Sequence, residues 1–312
     1  MTASVSNPVI ELDGITKRYG RGGRTTALAG LTLSVGRGEL IGLLGPNGAG
    51  KTTAIKLLLG LARPTSGSGR VLGRALGDRS ARAQIGYLPE LFRYQPWLHA
   101  REVLALHAEL ARIARPARKG AVDEALALVG LTERADDSVD GFSKGMQQRL
   151  GLGVALLGSP ALILLDEPTS ALDPVGRTDV RTIIRLARDR GATVILNSHL
   201  LTEVERVCDR VVILHHGAVI AAGTLDEIVA VDGVRLRVTD LDEAGQAELT
   251  AFGPVTVEED WLIVRPLSAD RIPDLVATIV AAGGRVHAVE PGRGSLEARF
   301  LELMAEAPGV DP

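Results

Sequence analysis

One cysteine, Cys208, stands alone in the chain of 312 residues, so no intrachain disulfide framework exists. It follows Glu205 and Arg206 in a stretch with helical spacing and belongs to no metal-ligand pattern, so it reads as a packing residue. Long apolar runs are also missing: Leu152 to Leu157 and Ala161 to Leu165 fall far short of the roughly 18 residues a membrane-spanning helix needs. Any membrane work therefore requires a separate partner. Charge of one sign is scarce too. A formal net charge of -3 leaves no broad basic field to hold a nucleic-acid backbone or an acidic bilayer, and nucleic acid is not an expected partner. From Met1 to Ile10 there is no basic stretch followed by an apolar run, which sets the expectation of a chain that stays in the cytoplasm. Repeats, heptads and low-complexity tracts are absent, and Ala307 to Pro312 reads as a frayed tail. His99, His107, His215, His216 and His287 show no zinc-ligand spacing, so structural or solvent roles are expected for them.

What is present is an ordinary globular balance, 46% apolar and 23% charged, in a chain long enough for about two domains. In residues 1–230, glycine-rich turns, short apolar runs and helical patterns alternate, the rhythm of an α/β domain with a mainly parallel sheet. Leu40 to Leu44, Leu162 to Leu165, Thr193 to Leu196 and Val211 to Leu214 are continuous apolar runs, which predicts strands buried on both faces. Residues 91–158 read as a helical insert, with Val103, Leu104, Leu106 and Leu110 at helical spacing and a break at Arg115-Pro116 before Val122, Leu126 and Val129. Residues 231–312 restart the pattern as a small α+β domain. A strand over Val234 to Val238, a helix over Leu241 to Phe252, a hairpin over Val255 to Val264, a helix over Ile272 to Ala282, a strand over Arg285 to Val289 and a helix capped by Ser295 follow in turn. The order βαββαβ predicts a ferredoxin-like fold.

The chemistry concentrates in the first domain. Gly45-Pro46-Asn47-Gly48-Ala49-Gly50-Lys51-Thr52 matches the phosphate-loop pattern and lies between the strand Leu40 to Leu44 and a helix opening at Thr53. Glycines let backbone N–H groups converge on one point, the helix N-terminus adds positive potential, Lys51 reaches the β- and γ-phosphates, and the Thr52 hydroxyl can ligate Mg²⁺. Downstream, the strand Ala161 to Leu165 ends in Asp166-Glu167, which puts one carboxylate at a strand tip beside Thr52 and another next to it, able to orient a water. Without the phosphate loop the same pair would read as a helix cap and a solvated acid, since Pro168 and Thr169 follow directly.

Gly45 to Thr52, then Phe142-Ser143-Lys144-Gly145-Met146-Gln147-Gln148, then Asp166-Glu167-Pro168-Thr169-Ser170-Ala171-Leu172-Asp173, then His199, resembles the ABC ATPases in order and spacing over roughly residues 8–230. The resemblance implies a P-loop NTPase, RecA-like core with a helical subdomain, and a head-to-tail dimer, expected to be a homodimer, that sandwiches two ATP molecules with Mg²⁺. It implies that Tyr19 stacks on adenine, that the loop from Gly45 through Thr53 holds the phosphates, and that Thr52 and Asp166 hold the metal. By the same resemblance Glu167 is the catalytic base, Lys51 stabilises developing charge, and His199 is the switch histidine. Ser143, the Gly145 backbone and Asp173 would serve the site of the opposing copy. Two departures stand out. Lys144 and Met146 replace the usual glycine and glutamine of the signature, and Glu90, in Ile85-Gly86-Tyr87-Leu88-Pro89-Glu90, replaces the glutamine that usually senses metal and permease. The Glu90 carboxylate could still reach metal or the attacking water.

The family also implies work at the cytoplasmic face of a membrane through separate permease subunits. The segment Tyr87 to His99, with Phe92, Tyr94 and Trp97, is the expected contact, core packing being the other reading of those aromatics. Glu90-Leu91 and Phe142 to Met146 look most similar to the exporter branch that handles drugs, lipids and polysaccharides. Two rivals are a soluble ABC-type ATPase of DNA repair or translation and a regulator that binds ATP without turnover. One cassette, no heptads and no basic face weigh against the first, and Glu167 with His199 against the second.

Overall fold

The computed structural model describes residues 8–20, 23–170, 172–229, 231–293 and 295–307, so the tail at 308–312 and Ala171 of the acidic motif lie outside the described residues. Two compact units divide the chain, one reaching Leu225 and the other spanning Asp226–Glu302, with residues from Leu303 grouping with the first. The division falls a few residues ahead of the expected boundary.

The first unit carries two sheets. Strands β1 (Ile10–Tyr19), β2 (Thr25–Val35), β4 (Ser66–Val71) and β5 (Arg74–Ala75) form an antiparallel sheet in the order β2-β1-β4-β5. The second sheet takes β3 (Leu40–Leu44), β6 (Ile85–Leu88), β7 (Leu162–Asp166), β8 (Thr193–Asn197), β9 (Arg210–His215) and β10 (Ala218–Thr224) in the order β10-β9-β3-β8-β7-β6. Pairs β9–β3, β3–β8, β8–β7 and β7–β6 are parallel, and only β10 runs against its neighbour. Every residue of β3, β7 and β8 is buried, which is why each reads as an unbroken apolar run rather than an alternating one.

Helices α1 (Lys51–Leu58), α2 (Arg79–Arg82), α3 (Ala100–Leu110), α4 (Arg115–Leu128), α5 (Lys144–Leu156), α6 (Pro174–Asp189) and α7 (Leu201–Val207) complete this unit. The helical insert is α3, α4 and α5. Pro116 sits in the first turn of α4, where its missing N–H costs nothing, so the break the sequence signals is a helix start. Ser143 caps α5 by accepting from the Met146 N–H at 3.2 Å, and Asp173 caps α6 by accepting from the Gly176 N–H at 2.7 Å.

Two of the three aromatics expected at a partner surface pack inward instead. Phe92 lies so close to Gly151 of α5 that a Cβ there would stand 2.6 Å from the ring, and Tyr94 contacts Phe92 at 5.4 Å and His107 of α3 at 5.7 Å between ring centroids. Burial pushes the Tyr94 hydroxyl well above the ordinary tyrosine range. Trp97 alone of the three stays open, 72% exposed, with Leu91 at 88%. Cys208 is buried, its sulfur in the space beside Gly42 of β3.

After the short α8 (Leu225–Ile228) come β11 (Val231–Thr239), α9 (Glu243–Glu248), β12 (Val255–Glu258), β13 (Trp261–Val264), α10 (Ile272–Ala281), β14 (Arg285–Arg293) and α11 (Leu296–Glu306). The sheet order β12-β13-β11-β14 is antiparallel throughout and has the ferredoxin-like arrangement, with the first strand of the repeat between the third and the fourth. Val234, Leu236, Leu262 and Val264 pack with Leu249, Leu275 and Ile279 as the core of this unit. Ile279→Ala is expected to destabilise it by about 3 kcal/mol, through lost transfer energy plus a cavity, measured as a lowered urea midpoint of the transition that reports on Trp261.

Candidate functional site

Strand β3 delivers the chain into the loop Gly45 to Gly50 at the carboxyl edge of the parallel sheet, where open α/β folds bind ligands. The loop is crowded from behind. A Cβ at Gly45 would stand 2.3 Å from the Leu214 carbonyl oxygen, and one at Gly50, whose φ is +106°, would stand 2.4 Å from that of Ala27. Glycine is the residue that fits both the conformation and the space. Helix α1 begins at Lys51 with Gly50 as its cap and no side-chain acceptor on its first N–H groups, which leaves those donors for an anion.

The Lys51 ammonium folds back over the loop, donating to the Gly45 carbonyl at 2.5 Å and to the Pro46 carbonyl at 3.1 Å. Burial pulls it below its ordinary pKa, and the carboxylates of Glu167 and Asp166 oppose that fall. An ammonium held this way across the cradle is a ready partner for phosphate oxygens.

Asp166 ends β7 in parallel register with Asn197 of β8. The Asn197 amide donates to Asp166 Oδ1 and fixes the carboxylate at the strand tip. Burial raises the Asp166 pKa, and the nearby Glu90 carboxylate raises it further, against the Asn197 hydrogen bond and Lys51. An excess of negative charge around a buried acid is what a divalent cation offsets. Asn197 Oδ1 and Glu167 Oε2 are buried without a hydrogen-bond partner, so polar capacity is left over at this spot. No group of three or more His, Cys, Asp or Glu side chains able to hold a metal occurs among the described residues. Thr52, Asp166 and Glu90 therefore suit a cation that brings most of its ligands as phosphate and water, as Mg²⁺ does.

Glu167 occupies left-handed backbone, φ +53°, a strained state for a side chain of this type. Its N–H donates to the Asn197 carbonyl at 2.9 Å, and its own carbonyl accepts from the Ser170 hydroxyl at 3.2 Å. The carboxylate faces His199. Oε1 accepts from the His199 backbone N–H at 2.9 Å, and Oε2 lies 2.7 Å from His199 Nδ1. The loop after β8 thus grips the glutamate by main chain and ring together.

Tyr19, Asn47, Gly48, Ala49, Gly50, Lys51, Thr52, Thr53, Glu90, Asp166, Glu167 and His199 all line one open cleft of about 680 Å³, while Gly45 and Pro46 stand outside that lining and reach it only through their carbonyls' bonds from Lys51. Thr25, Thr26, Ala27 and Asn197 line it too, unforeseen from sequence. The signal for Asn197 was available, a polar residue ending an apolar strand two places before His199. Tyr19 is 40% exposed, with the Lys17 ammonium 4.8 Å from its ring centre. Ser143, Gly145 and Asp173 are not in this cleft. They line a separate hollow of about 400 Å³ with Lys144, Arg149 and Leu172.

A family model described as ABC transporter matches residues 28–170. An uncharacterized ABC transporter ATP-binding protein of Nostoc is 39% identical over 89% of this chain and 83% of its own length. The linearmycin resistance ATP-binding protein LnrL of Bacillus subtilis is 34% identical over 95% of this chain and 98% of its own, and the daunorubicin resistance ATP-binding protein DrrA3 of Streptomyces coeruleorubidus 35% identical over 97% and 98%. Among solved structures, an ATP-binding subunit of an ABC transporter superposes with a TM-score of 0.64 at 34% identity, covering 70% of this chain and 91% of that one. A dimeric ATP-binding cassette in a post-hydrolysis state with ADP and Pi superposes at 0.61 and 26% identity, covering 69% and 98%. A phosphate loop on a parallel sheet, acids at the next strand tip and relatives matched along most of their length lead to one conclusion: the chain belongs to the ABC transporter ATP-binding proteins and is an ATPase of that family.

Proposed function

We propose that the chain drives a membrane exporter, closing on ATP as a pair of identical copies and passing that motion to a separate permease. The observation that carries this reading is the division of the predicted site residues between two hollows of one chain. The cleft with Lys51, Glu167 and His199 contains no signature residue, and the hollow with Ser143, Gly145 and Asp173 contains no phosphate loop. The second hollow presents Ser143 and the start of α5, with Lys144 and Arg149 matched in number by Asp173 and Asp179, so two copies arranged head to tail would complete each other through the Ser143 hydroxyl and the first N–H groups of that helix. Kinship with a dimeric cassette supports the same arrangement.

In the closed pair Tyr19 stacks on adenine and the loop from Gly45 through Thr53 holds the phosphates. Glu167, oriented by its contacts to residue 199, polarises water for in-line attack, while Lys51 and the opposing Ser143 and Gly145 stabilise the charge that develops. Bound with ATP, Mg²⁺ supplies electrostatic stabilisation of the phosphates, and Thr52, Asp166 and Glu90 are the residues that would hold it.

The exporter reading draws on relatives named for linearmycin and daunorubicin resistance and for bacitracin transport. Among the described residues no helix is long and apolar enough to cross a membrane; in this reading the permease is a separate subunit and the chain sits on its cytoplasmic face. Leu91 and Trp97, large apolar side chains left in solvent beside Glu90, are the anchors such a partner would cover.

Glu167→Gln is expected to lower phosphate release about 10³-fold while keeping ATP affinity and gaining an ATP-stabilised dimer in light scattering. Unchanged turnover would remove Glu167 as the base, and absence of ATP binding would remove the whole reading. Trp97→Ala is expected to leave turnover of the isolated chain within about twofold and to reduce by about tenfold or more the integral membrane protein that copurifies with it.

A further inference from the structure

We infer that the tight turn joining β9 to β10 braces the phosphate loop from behind, and that Gly217 in that turn is a positioning residue for nucleotide. The inference rests on the nucleotide reading of the cleft and extends it to a residue that does not line the cleft.

Both ends of the phosphate loop lean on this hairpin. At its start, Gly45 lies against the carbonyl of Leu214, the next-to-last residue of β9, with no room for a Cβ. At its end, the Gly217 N–H donates to the Ala49 carbonyl at 3.0 Å. The Gly217 carbonyl in turn accepts from the Ala29 N–H of β2 at 2.9 Å. One residue thus ties the loop to the strand whose first residues, Thr25 to Ala27, wall the same cleft opposite Tyr19.

The junction has no slack. A Cβ on Gly217 would stand 2.8 Å from the Ala27 carbonyl oxygen and 2.8 Å from Leu28 Cα, both main-chain atoms that cannot swing aside. A Cβ on Gly50 would meet the same Ala27 oxygen at 2.4 Å and would stand 3.5 Å from Gly217 Cα. Residues 27, 50 and 217 are therefore three backbones in mutual contact. The turn itself is held in shape: His216 takes left-handed backbone at φ +46°, and the His215 and His216 rings meet at 4.2 Å. Such a conformation persists where the surroundings over-determine it.

Pushing Gly217 back from Ala27 pulls on Ala49 through their hydrogen bond, and with it on the amides of residues 48–51 that converge on the phosphates. Binding through converging amides depends on their aim, because an N–H hydrogen bond weakens steeply as its angle closes. A backbone turn outside the cleft thereby controls affinity for the phosphates without touching them.

The test compares Gly217→Ala with Gly191→Ala. Gly191 shares the left-handed backbone, φ +95° against +82°, but a Cβ there meets no atom within 4 Å, so it carries the conformational penalty alone. Titration calorimetry with Mg²⁺ and ADP should show Gly217→Ala binding at least about tenfold more weakly than wild type, with KM for ATP raised in step and kcat at saturating ATP largely kept. Gly191→Ala should bind ADP within about twofold of wild type although both variants melt earlier. Equal affinities for the two variants would overturn the brace. Wild type failing to bind ADP would overturn the nucleotide reading and the brace with it. If Gly217→Ala does not fold, amide exchange in wild type decides. Slower exchange at the Gly217 N–H on adding ADP supports the tie to Ala49, and an unchanged rate overturns it.

Discussion

The parallel register of β3, β8 and β7 is the constraint from which the site follows. Leu43 pairs with Asn197, and Asn197 with Asp166, so the three strands end at one level and their loops leave on the same side. A slip of one residue would turn every side chain of a strand to the opposite face. These strands are buried on both faces, so a slip would exchange one apolar packing for another and put Asp166 where only carbon is met. The polar tips therefore pin the register as firmly as the apolar runs pin the strands. Asn197 has the central part: it pairs with both neighbours, donates to Asp166 by side chain and accepts from Glu167 by main chain.

Around that frame the charges are arranged in tension rather than in neutral pairs. Lys51 is half-satisfied by its own loop, Asp166 is held above its ordinary pKa by burial and Glu90, and Glu167 keeps a buried oxygen without a hydrogen bond while standing in strained backbone. Strain and unmet polar capacity of this kind cost a fold stability, and they persist where a ligand offsets them. By contrast, the buried pair Arg181 with Glu203, at 2.9 Å to both carboxylate oxygens, links α6 to α7 with its charges matched. Those two helices are joined by a matched pair, whereas the cleft lining carries unmatched groups.

Much of this was legible in the sequence because it is local. Eight consecutive residues define the loop, unbroken apolar runs define the buried strands, and alternation with caps defines the ferredoxin-like order of the second unit. What escaped depends on contacts between distant residues. For Phe92 and Tyr94 the sequence left a partner surface and core packing both open, and the choice came only when α5 brought Gly151 against one and α3 brought His107 against the other. Thr25, Thr26 and Ala27 carry no motif, and they reach the cleft only because β2 folds back along β1 beside Tyr19. Glu90, by contrast, could be read as a departure from the family pattern, and its charge raises the pKa of Asp166.

The Glu90 carboxylate weighs on the charge balance at Asp166. An amide there would add hydrogen bonds without charge. A carboxylate instead deepens the negative potential at Asp166, so protonation and cation binding compete more directly for the same place. The cation in the cleft lining that answers this charge is Lys51. In the proposed pair, phosphate in the cleft would add to that negative charge, and what the second copy would bring to meet it is the Ser143 hydroxyl and the N–H groups opening α5.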